Sequence, residues 1–385
     1  MLISVSQLAP AASWETQTSV SVGAGVDDNV ALSEDSPGTT YSGRTTAALA
    51  LRRVTEIWDV RAAGRVGYTT YFGSTEGVED SDFQHLTLDA AYESERARWG
   101  FEGGLRRDKT LIEIGDPDAD VDPGADIDQG LVEESVRRTR LILRPSFEYE
   151  LTERLRGALR YEGVSLNYDD RESIDVEDSL THEVIAGTTY RLSRRATVGA
   201  DVEALYFRGE DEDDDVDSYG LVATLDYRVS ERTRVAIAGG ARHAEPRAAN
   251  GAADDDTGAL ARLEGRTRGE NWTAFVALER RLRPGGEGLL RETDQLRLRA
   301  SRDLSPRVAV SFSGRAFEAR SATGDTDGQD NRSYVNLSPE ITYRLTPAWY
   351  LTGAYRHQWV DRDPGTATSN AAFVEIEYRP PSEVP

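Results

Sequence analysis

Cysteine is absent from the 385 residues, lysine occurs once, at Lys109, and long apolar runs are missing. Without cysteine, a disulfide framework, a thiol nucleophile and covalent haem attachment are excluded. No apolar segment approaches the roughly 18 residues of a membrane-spanning helix, and no helical stripe persists beyond about two turns. Only 38% of the residues are apolar, the mean hydropathy is −0.55 and the formal charge is −23. These values argue against a globular protein with contiguous apolar core segments.

Motifs for catalysis are equally scarce. The four histidines, His85, His182, His243 and His357, are scattered along the chain, and no HExxH, P-loop or CxxC motif occurs. Carboxylates are too abundant for any one pair to stand out as an acid and base. The sequence therefore predicts no catalytic residue, no cofactor and no enzymatic activity. An outer-membrane lipase or protease, with a triad assembled across strands, is the alternative.

Two acidic segments are candidates for metal binding, LIEIGDPDADVDPGADIDQG from Leu111 and EDEDDDVD from Glu210. Closely spaced carboxylates suit Ca²⁺ or Mg²⁺, but neither segment has the ligand order of an EF-hand. We interpret both segments as solvated acidic loops and predict no metal site. The first of them lies in the longest loop, from Asp108 to Glu134, which is long enough to fold into a lumen.

Apolar and polar residues alternate with a period of two along much of the sequence. Between Tyr219 and Val229, apolar side chains occupy every second position and mostly polar ones the positions between. This pattern is typical of a β-strand with one apolar and one polar face. A short polar turn follows, and then another alternating segment begins at Arg234.

A short phrase marks these turns. YRLSRRATV from Tyr190 returns as YRVSERTRV from Tyr227 and as YRLTPAWYL from Tyr343. Similar turns recur at intervals of roughly forty residues, with one longer gap. They lie near Glu56, Glu95, Glu153, Arg194, Glu231, Glu270, Pro306 and Pro347. Longer acidic segments, such as DDNVALSEDSPGTT from Asp27, lie between them.

Eight short turns join nine hairpins, so the sequence predicts an all-β protein with about 18 antiparallel strands. Long loops on one side and short turns on the other are the layout of an up-and-down transmembrane β-barrel, in which the long acidic loops are extracellular. We expect a signal-peptide remnant or a disordered N-terminus over residues 1–13, the barrel over 14–379 and a periplasmic tail over 380–385. An even strand number places both termini in the periplasm.

Aromatic residues test this prediction, because they were not used to place the strands. Tryptophans open strands just after short turns, and tyrosines close strands just before them. We predict a girdle at the periplasmic interface, where amphipathic rings prefer to lie. Its members are Trp14, Trp58, Trp99, Tyr149, Tyr190, Tyr227, Trp272, Tyr343, Trp349 and Tyr378. A looser second belt near the long loops comprises Phe72, Phe83, Tyr168, Tyr206, Tyr219, Tyr334 and Trp359.

The polar face of each strand must be internal, because an arginine facing lipid at mid-bilayer costs roughly 2–4 kcal/mol. The predicted pore-lining arginines are Arg61, Arg65, Arg98, Arg106, Arg140, Arg144, Arg228, Arg262, Arg266, Arg297, Arg299, Arg315 and Arg356. Such a wall attracts anions or hydrogen-bonds sugar hydroxyls and carboxylates. The alternative is that each arginine pairs with a neighbouring acid and braces the barrel.

The first hairpin runs into Asp27, Asp28, Asn29 and Val30, and this turn resembles the outer-membrane β-barrel porins associated with exopolysaccharide (exosortase-type) loci. The Tyr-Arg-Leu-Ser/Thr turns are similar to hairpins of the same family. Membership implies a role in moving polysaccharide across the outer membrane or anchoring it there. The resemblance implies no catalytic residue.

The sequence thus predicts a protein of the cell outer membrane that is a passive pore or secretion conduit, with exopolysaccharide as the first expected cargo. Three alternatives stay open: a general or oligosaccharide-uptake porin, a sheath or scaffold around a partner such as a cytochrome, and an adhesin or surface-display scaffold that uses the acidic loops. Expected partners are outer-membrane lipid and lipopolysaccharide, polysaccharide or small anionic solutes, and periplasmic export machinery. No nucleic-acid partner is expected.

Overall fold

The computed structural model describes residues 14–74, 78–109, 136–169, 176–209, 215–246, 256–284, 290–321, 331–362 and 365–381. Eighteen β-strands occupy most of this length. In chain order they are β1 Trp14–Asp27, β2 Thr40–Val54, β3 Trp58–Gly73, β4 Ser81–Glu93, β5 Ala97–Lys109, β6 Arg137–Glu150, β7 Leu155–Asp169, β8 Ser179–Arg191, β9 Ala196–Arg208, β10 Val216–Arg228, β11 Thr233–Pro246, β12 Asp256–Arg268, β13 Trp272–Pro284, β14 Leu290–Ser305, β15 Val308–Ser321, β16 Arg332–Arg344, β17 Trp349–Asp361 and β18 Thr366–Tyr378.

The strands form one closed antiparallel barrel. Each strand pairs with its neighbours in the sequence, and β1 also pairs with β18. The predicted fold class and strand number are therefore confirmed. Closure satisfies the backbone groups that an open sheet edge would leave unpaired in lipid. The predicted leader and the last four residues of the predicted tail lie outside the described residues and stay predictions.

The short turns explain the repeated Ser/Thr of the sequence. In six of the eight turns a hydroxyl oxygen accepts a hydrogen bond from the backbone N–H three residues later. Ser193 accepts from Ala196 at 3.0 Å, and Thr346 accepts from Trp349 at 3.1 Å. Serine and threonine favour such turns because their side chains replace a backbone partner locally.

The outer face of the barrel is apolar and open to its surroundings. Leu221 on β10 is 62% exposed, and Val202, its direct cross-strand partner on β9, is 58% exposed. A soluble protein rarely shows such a continuous apolar surface, whereas hydrocarbon solvates it. The chain is therefore an outer-membrane β-barrel, with both barrel ends, Trp14 and Tyr378, on the short-turn side. Among the described residues no helix is long and apolar enough to cross a membrane.

All ten side chains of the predicted girdle are exposed on this outer face beside the short turns. Rings from neighbouring strands touch: the centroids of Trp58 and Tyr92 lie 4.9 Å apart, and those of Trp349 and Tyr378 lie 5.0 Å apart. The second belt is only partly external. Phe83, Tyr168 and Tyr334 are buried on the inner face, so they do not belong to a lipid-facing belt.

Two of the interstrand ladders are short. The β1–β18 ladder joins Val20–Asp27 to Ala371–Tyr378, which leaves the first residues of β1 without a partner on β18. The β12–β13 ladder ends at Ala261 and Arg280, although β13 continues to Pro284 and stays paired with β14. The second of these places is where chain enters the lumen, as described below.

Candidate functional site

One contact identifies the inner face without reference to hydrophobicity. The Arg281 guanidinium on β13 lies 2.9 Å from the Glu183 carboxylate on β8. Four strands separate β8 from β13 on the shorter way around the barrel, so the two side chains can meet only across the interior. Residues directly paired in register share a face, and the ladders extend this assignment around the whole barrel.

By this register the thirteen arginines predicted to line the pore all lie on the inner face. Several are direct cross-strand neighbours: Arg65 pairs with His85, His85 with Arg106, and Arg106 with Arg140. Arg297 is likewise opposite Arg315. The side of the barrel wall on which a side chain lies follows from its odd or even position in the strand. A sequence pattern therefore suffices to place these residues on the inner face. Whether each arginine is free to meet a solute depends on its neighbours.

Several of the thirteen are braces held by acids. Arg356 is 4% exposed and lies 3.2 Å from the Asp27 carboxylate. Arg144 contacts Glu162 at 2.6 Å, and Arg106 pairs with Asp108. Two more, Arg262 and Arg297, pair with Glu264 at 2.7 Å and with Glu279 at 3.6 Å. A paired guanidinium has its charge largely compensated and its donors used, so these residues chiefly stabilise the wall.

Five of the thirteen form no ion pair within the part of the chain that the structure describes: Arg61, Arg98, Arg228, Arg266 and Arg299. All five lie in the half of their strands nearer the short turns. The lumen is thus divided. Paired arginines predominate toward the long loops, and arginines with available donors lie toward the periplasm.

A wide cavity occupies the periplasmic half beside β1–β6, and we call it the vestibule. Its volume is about 1090 Å³. Charges of both signs line it, including Glu15, Arg61, Asp89, Arg98 and Glu102. Arg61 lies directly opposite Asp89, so this side of the lumen is mixed in charge.

The opposite side carries an excess of one sign. Arg228 on β10 is opposite Arg234 on β11, which is opposite Arg266 on β12. Phe275 follows on β13 and Arg299 on β14, and the Arg266 guanidinium lies 5.5 Å from the Phe275 ring centroid. We call Arg228, Arg234, Arg266 and Arg299 the basic wall. Asp226 compensates Arg234 at 2.5 Å. Like charges directly opposite each other are unfavourable in a sheet, so this wall favours anions beside it.

The end of the β13–β14 hairpin leaves the wall and lies inside the lumen. We call residues 281–284 and 290–293 the infolded hairpin. Leu282 and Leu290 are 5% and 1% exposed and pack against Phe207, Val216 and Ala244 of β9–β11. Arg242 on β11 contacts Glu292 of the hairpin at 2.9 Å. The Arg281–Glu183 pair ties the hairpin to β8 and completes a bridge across the lumen.

A smaller cavity of about 220 Å³ lies between the infolded hairpin and the wall of β7–β12. Arg160, Asp201, Glu203, Arg242 and Arg262 are among its lining residues. Arg160 contacts Asp201 at 3.3 Å. Within the described residues the Glu203 carboxylate accepts no hydrogen bond and forms no ion pair. The cavity carries charges of both signs beside apolar side chains such as Leu205 and Leu260.

A second element also lies inside. Leu32, in the loop between β1 and β2, is 5% exposed and packs with Phe317, Tyr334, Val360 and Ala367. These four side chains are on the inner faces of β15–β18. The loop therefore lies along the inner wall near the extracellular opening, across the lumen from β8–β10.

The sequence did not indicate Arg281, Glu183 or Leu32 as site residues. One signal was present for the first: Glu279, Arg280 and Arg281 are three consecutive charged residues, which breaks the alternation of β13. A strand that keeps both faces charged cannot stay between lipid and lumen at that level. No comparable signal marks Leu32, whose partners are far away in the sequence.

Of the four histidines, His85 lies on the inner face and His182, His243 and His357 lie on the outer face. They do not converge on one site. Among the described residues no group of three histidine, aspartate or glutamate side chains is arranged to hold a metal ion. The acidic segment from Leu111 lies outside the described residues, as does most of the segment from Glu210.

The sequence matches no protein-family model and no curated protein. Among solved structures the chain is similar to OccAB4 of Acinetobacter baumannii, with 10% identity, coverage of 95% of this chain and 97% of that chain, and a TM-score of 0.46. It is similar at 10% identity to OccK2 (OpdF) of Pseudomonas aeruginosa in complex with glucuronate, with 96% and 97% covered and a TM-score of 0.46. For Pseudomonas aeruginosa OpdL the identity is 11%, the coverage 95% and 98%, and the TM-score 0.45. Likenesses this distant carry no argument about this chain.

Proposed function

We propose that the protein is a passive porin for small anionic solutes. The observation that carries this proposal is the basic wall, a set of adjacent arginines on the aqueous side of a transmembrane barrel. Field lines from like charges are focused inside a low-dielectric cylinder, and the local concentration of counter-ions rises. Guanidinium groups also hydrogen-bond carboxylates and phosphates in a bidentate geometry. Both effects favour anions without any chemical step.

The two inward elements support a small cargo. The infolded hairpin and the loop between β1 and β2 occupy opposite sides of the lumen near its extracellular end. A partner protein inside the barrel, as in a sheath around a cytochrome, would have to displace both elements. Each is held by buried apolar contacts and hydrogen bonds, so displacement carries a substantial cost.

An extended exopolysaccharide would meet the same two elements. The conduit for exopolysaccharide expected from the sequence is supported only by the resemblance of the first hairpin, whereas the general-porin alternative agrees with the described lumen at least as well. A role in export would require that deleting the gene leaves polysaccharide trapped in the periplasm. Unchanged secretion in the deletion strain removes that candidate and leaves the porin proposal untouched.

The proposal is tested by the zero-current potential of the purified protein in planar bilayers under a KCl gradient. We expect the wild type to prefer chloride. The triple variant R228S/R266S/R299S removes three charges from the basic wall, and the potential should move toward cation preference.

A matched control removes three arginines from the outer face, R53S/R302S/R320S, each of which directly follows an inward-facing residue of its strand, Arg52, Ser301 and Ala319. The net charge changes equally in both triple variants, but only the first should alter selectivity. A wild type that does not conduct, or equal potentials for wild type and both variants, would contradict the proposal.

A further inference from the structure

The sequence singles out the turn Asp27-Asp28-Asn29. This turn has a structural role that is separate from the basic wall. Asp27 is the last residue of β1 and is 4% exposed on the inner face. Its carboxylate accepts a hydrogen bond from the Ser369 hydroxyl at 2.7 Å and lies 3.2 Å from Arg356. One buried carboxylate thus joins the end of β1 to both β17 and β18.

Asp28 and Asn29 continue the attachment beyond the end of the β1–β18 ladder. The Asp28 carboxylate accepts from the Asn370 backbone N–H at 2.6 Å and from the Asn370 side-chain amide at 2.9 Å. The Asn29 amide donates to the Thr368 carbonyl at 3.0 Å and to the Ser33 carbonyl at 2.8 Å. All three residues therefore bind β17 or β18, the strands that close the barrel.

The same turn directs the loop inward. Asn29 closes a tight turn in which the Leu32 N–H donates to the Asn29 carbonyl at 3.1 Å. Leu32 has a φ of 52°, in the left-handed region that costs a branched side chain free energy. The cost is offset because Leu32 is inserted among Phe317, Tyr334, Val360 and Ala367. Its carbonyl also accepts from Arg362 at 3.2 Å.

We infer that Asp27, Asp28 and Asn29 form a latch that fixes residues 28–39 inside the lumen, so that this loop sets the size limit for solutes at the extracellular opening. We call residues 28–39 the first loop. The inference rests on the proposed porin function for the size limit, but the position of the loop stands on its own contacts. The buried hydrogen bond to Asp27, the more exposed hydrogen bonds of Asp28 and Asn29, and the filled apolar slot together hold the loop in one place.

A labelling experiment tests the position of the loop without any measurement of transport. The chain has no native cysteine, so L32C carries a single thiol. In intact outer membranes a bulky, membrane-impermeant maleimide should label L32C slowly, because the side chain is buried. Labelling should become several-fold faster in the background D28A/N29A, which leaves the Asp27–Arg356 pair intact.

Asp35 provides the matched control. It lies in the same loop, and its side-chain carboxylate forms no hydrogen bond or ion pair with the described residues, so L32C/D35A should label as slowly as L32C alone. Equal labelling rates in the latch variant and in L32C overturn the latch. Fast labelling of L32C alone overturns it as well.

Solute exclusion then tests the size limit. Polyethylene glycols of increasing length reduce single-channel conductance only when they enter the pore. We expect D28A/N29A, and also L32D, to admit longer polymers and to conduct more than wild type and D35A. L32D places a charge in the apolar slot and leaves the contacts between β1 and β18 unchanged. It therefore tests the size limit even if the variant D28A/N29A assembles poorly.

The outcomes separate the two proposals. An unchanged exclusion limit together with faster labelling overturns the role of the first loop in size selection. A wild type that never conducts overturns the porin proposal, and the labelling rates still decide whether the latch exists.

Discussion

At the scale of single residues, glycine on the inner wall makes room for aromatic rings. Phe83 lies over Gly67, its direct cross-strand partner, so closely that a Cβ at Gly67 would overlap the ring. The Arg44 and Arg65 guanidinium groups lie 4.9 Å and 4.8 Å from the centroid of the same ring. Glycine is needed here for close approach, and the ring in turn covers a backbone that has no side chain.

Replacing Gly67 with alanine should therefore destabilise the barrel by about 1–3 kcal/mol, because the Phe83 ring must move out of its place between two arginines. The matched control is Gly239→Ala on the outer face of β11, where an added Cβ meets no atom within 4 Å. Urea unfolding in lipid vesicles measures both. Equal stability of the two variants would show that Phe83 adapts freely.

Individual arginines show what a sequence can and cannot reveal at this scale. The face of Arg61 or Arg356 follows from strand parity, which alternation alone establishes. Strand parity does not reveal that Arg356 is paired with an acid whereas Arg61, among the described residues, is not. Arg356 meets Asp27 only after β1 closes on β18. Pairing across a barrel joins residues at opposite ends of the chain, and no local pattern reports it.

At the scale of elements, the strands and short turns could be predicted because their determinants are local. The Ser/Thr of most short turns accepts a hydrogen bond from the residue three positions on, and each strand pairs with its sequence neighbour. The infolded hairpin could not be predicted in the same way. Its position depends on Leu282 and Leu290 meeting Phe207 and Val216, which belong to strands far away in the sequence.

The Arg281–Glu183 bridge should hold the infolded hairpin against β8. Its side chains are 32% and 12% exposed, so we expect a contribution on the order of 1 kcal/mol, reduced by solvent screening. E183Q should raise single-channel conductance because the hairpin moves more freely.

A double-mutant cycle makes this prediction specific. Adding R281Q to E183Q should produce little further change, since both substitutions break the 2.9 Å pair and the other acid beside Arg281, Glu279, is farther away at 3.7 Å. E318Q breaks a pair of similar length on the outer face, Glu318 with Arg320 at 2.8 Å, and should leave conductance unchanged. Additive effects of E183Q and R281Q would contradict a direct bridge.

At the scale of the whole molecule, the formal charge of −23 and the low mean hydropathy conceal a membrane protein. An average over the chain cannot separate two faces that alternate residue by residue. The apolar residues face lipid, the arginines face water, and acids such as Asp27, Glu183 and Glu279 compensate arginines inside. A barrel needs only half of its strand residues to be apolar, which explains the absence of long apolar runs.

The central claim is that one cylinder presents an apolar surface to lipid and a charged surface to water. Single cysteines at positions 296–301 of β14 test it most directly, because the chain has no native thiol. Positions 297, 299 and 301 share the inner face, and 296, 298 and 300 share the outer face. In lipid vesicles the first three should react with a small water-soluble thiol reagent and the other three only with a lipid-soluble one. Loss of this alternation, with all six positions equally reactive toward water-soluble reagent, would contradict the account.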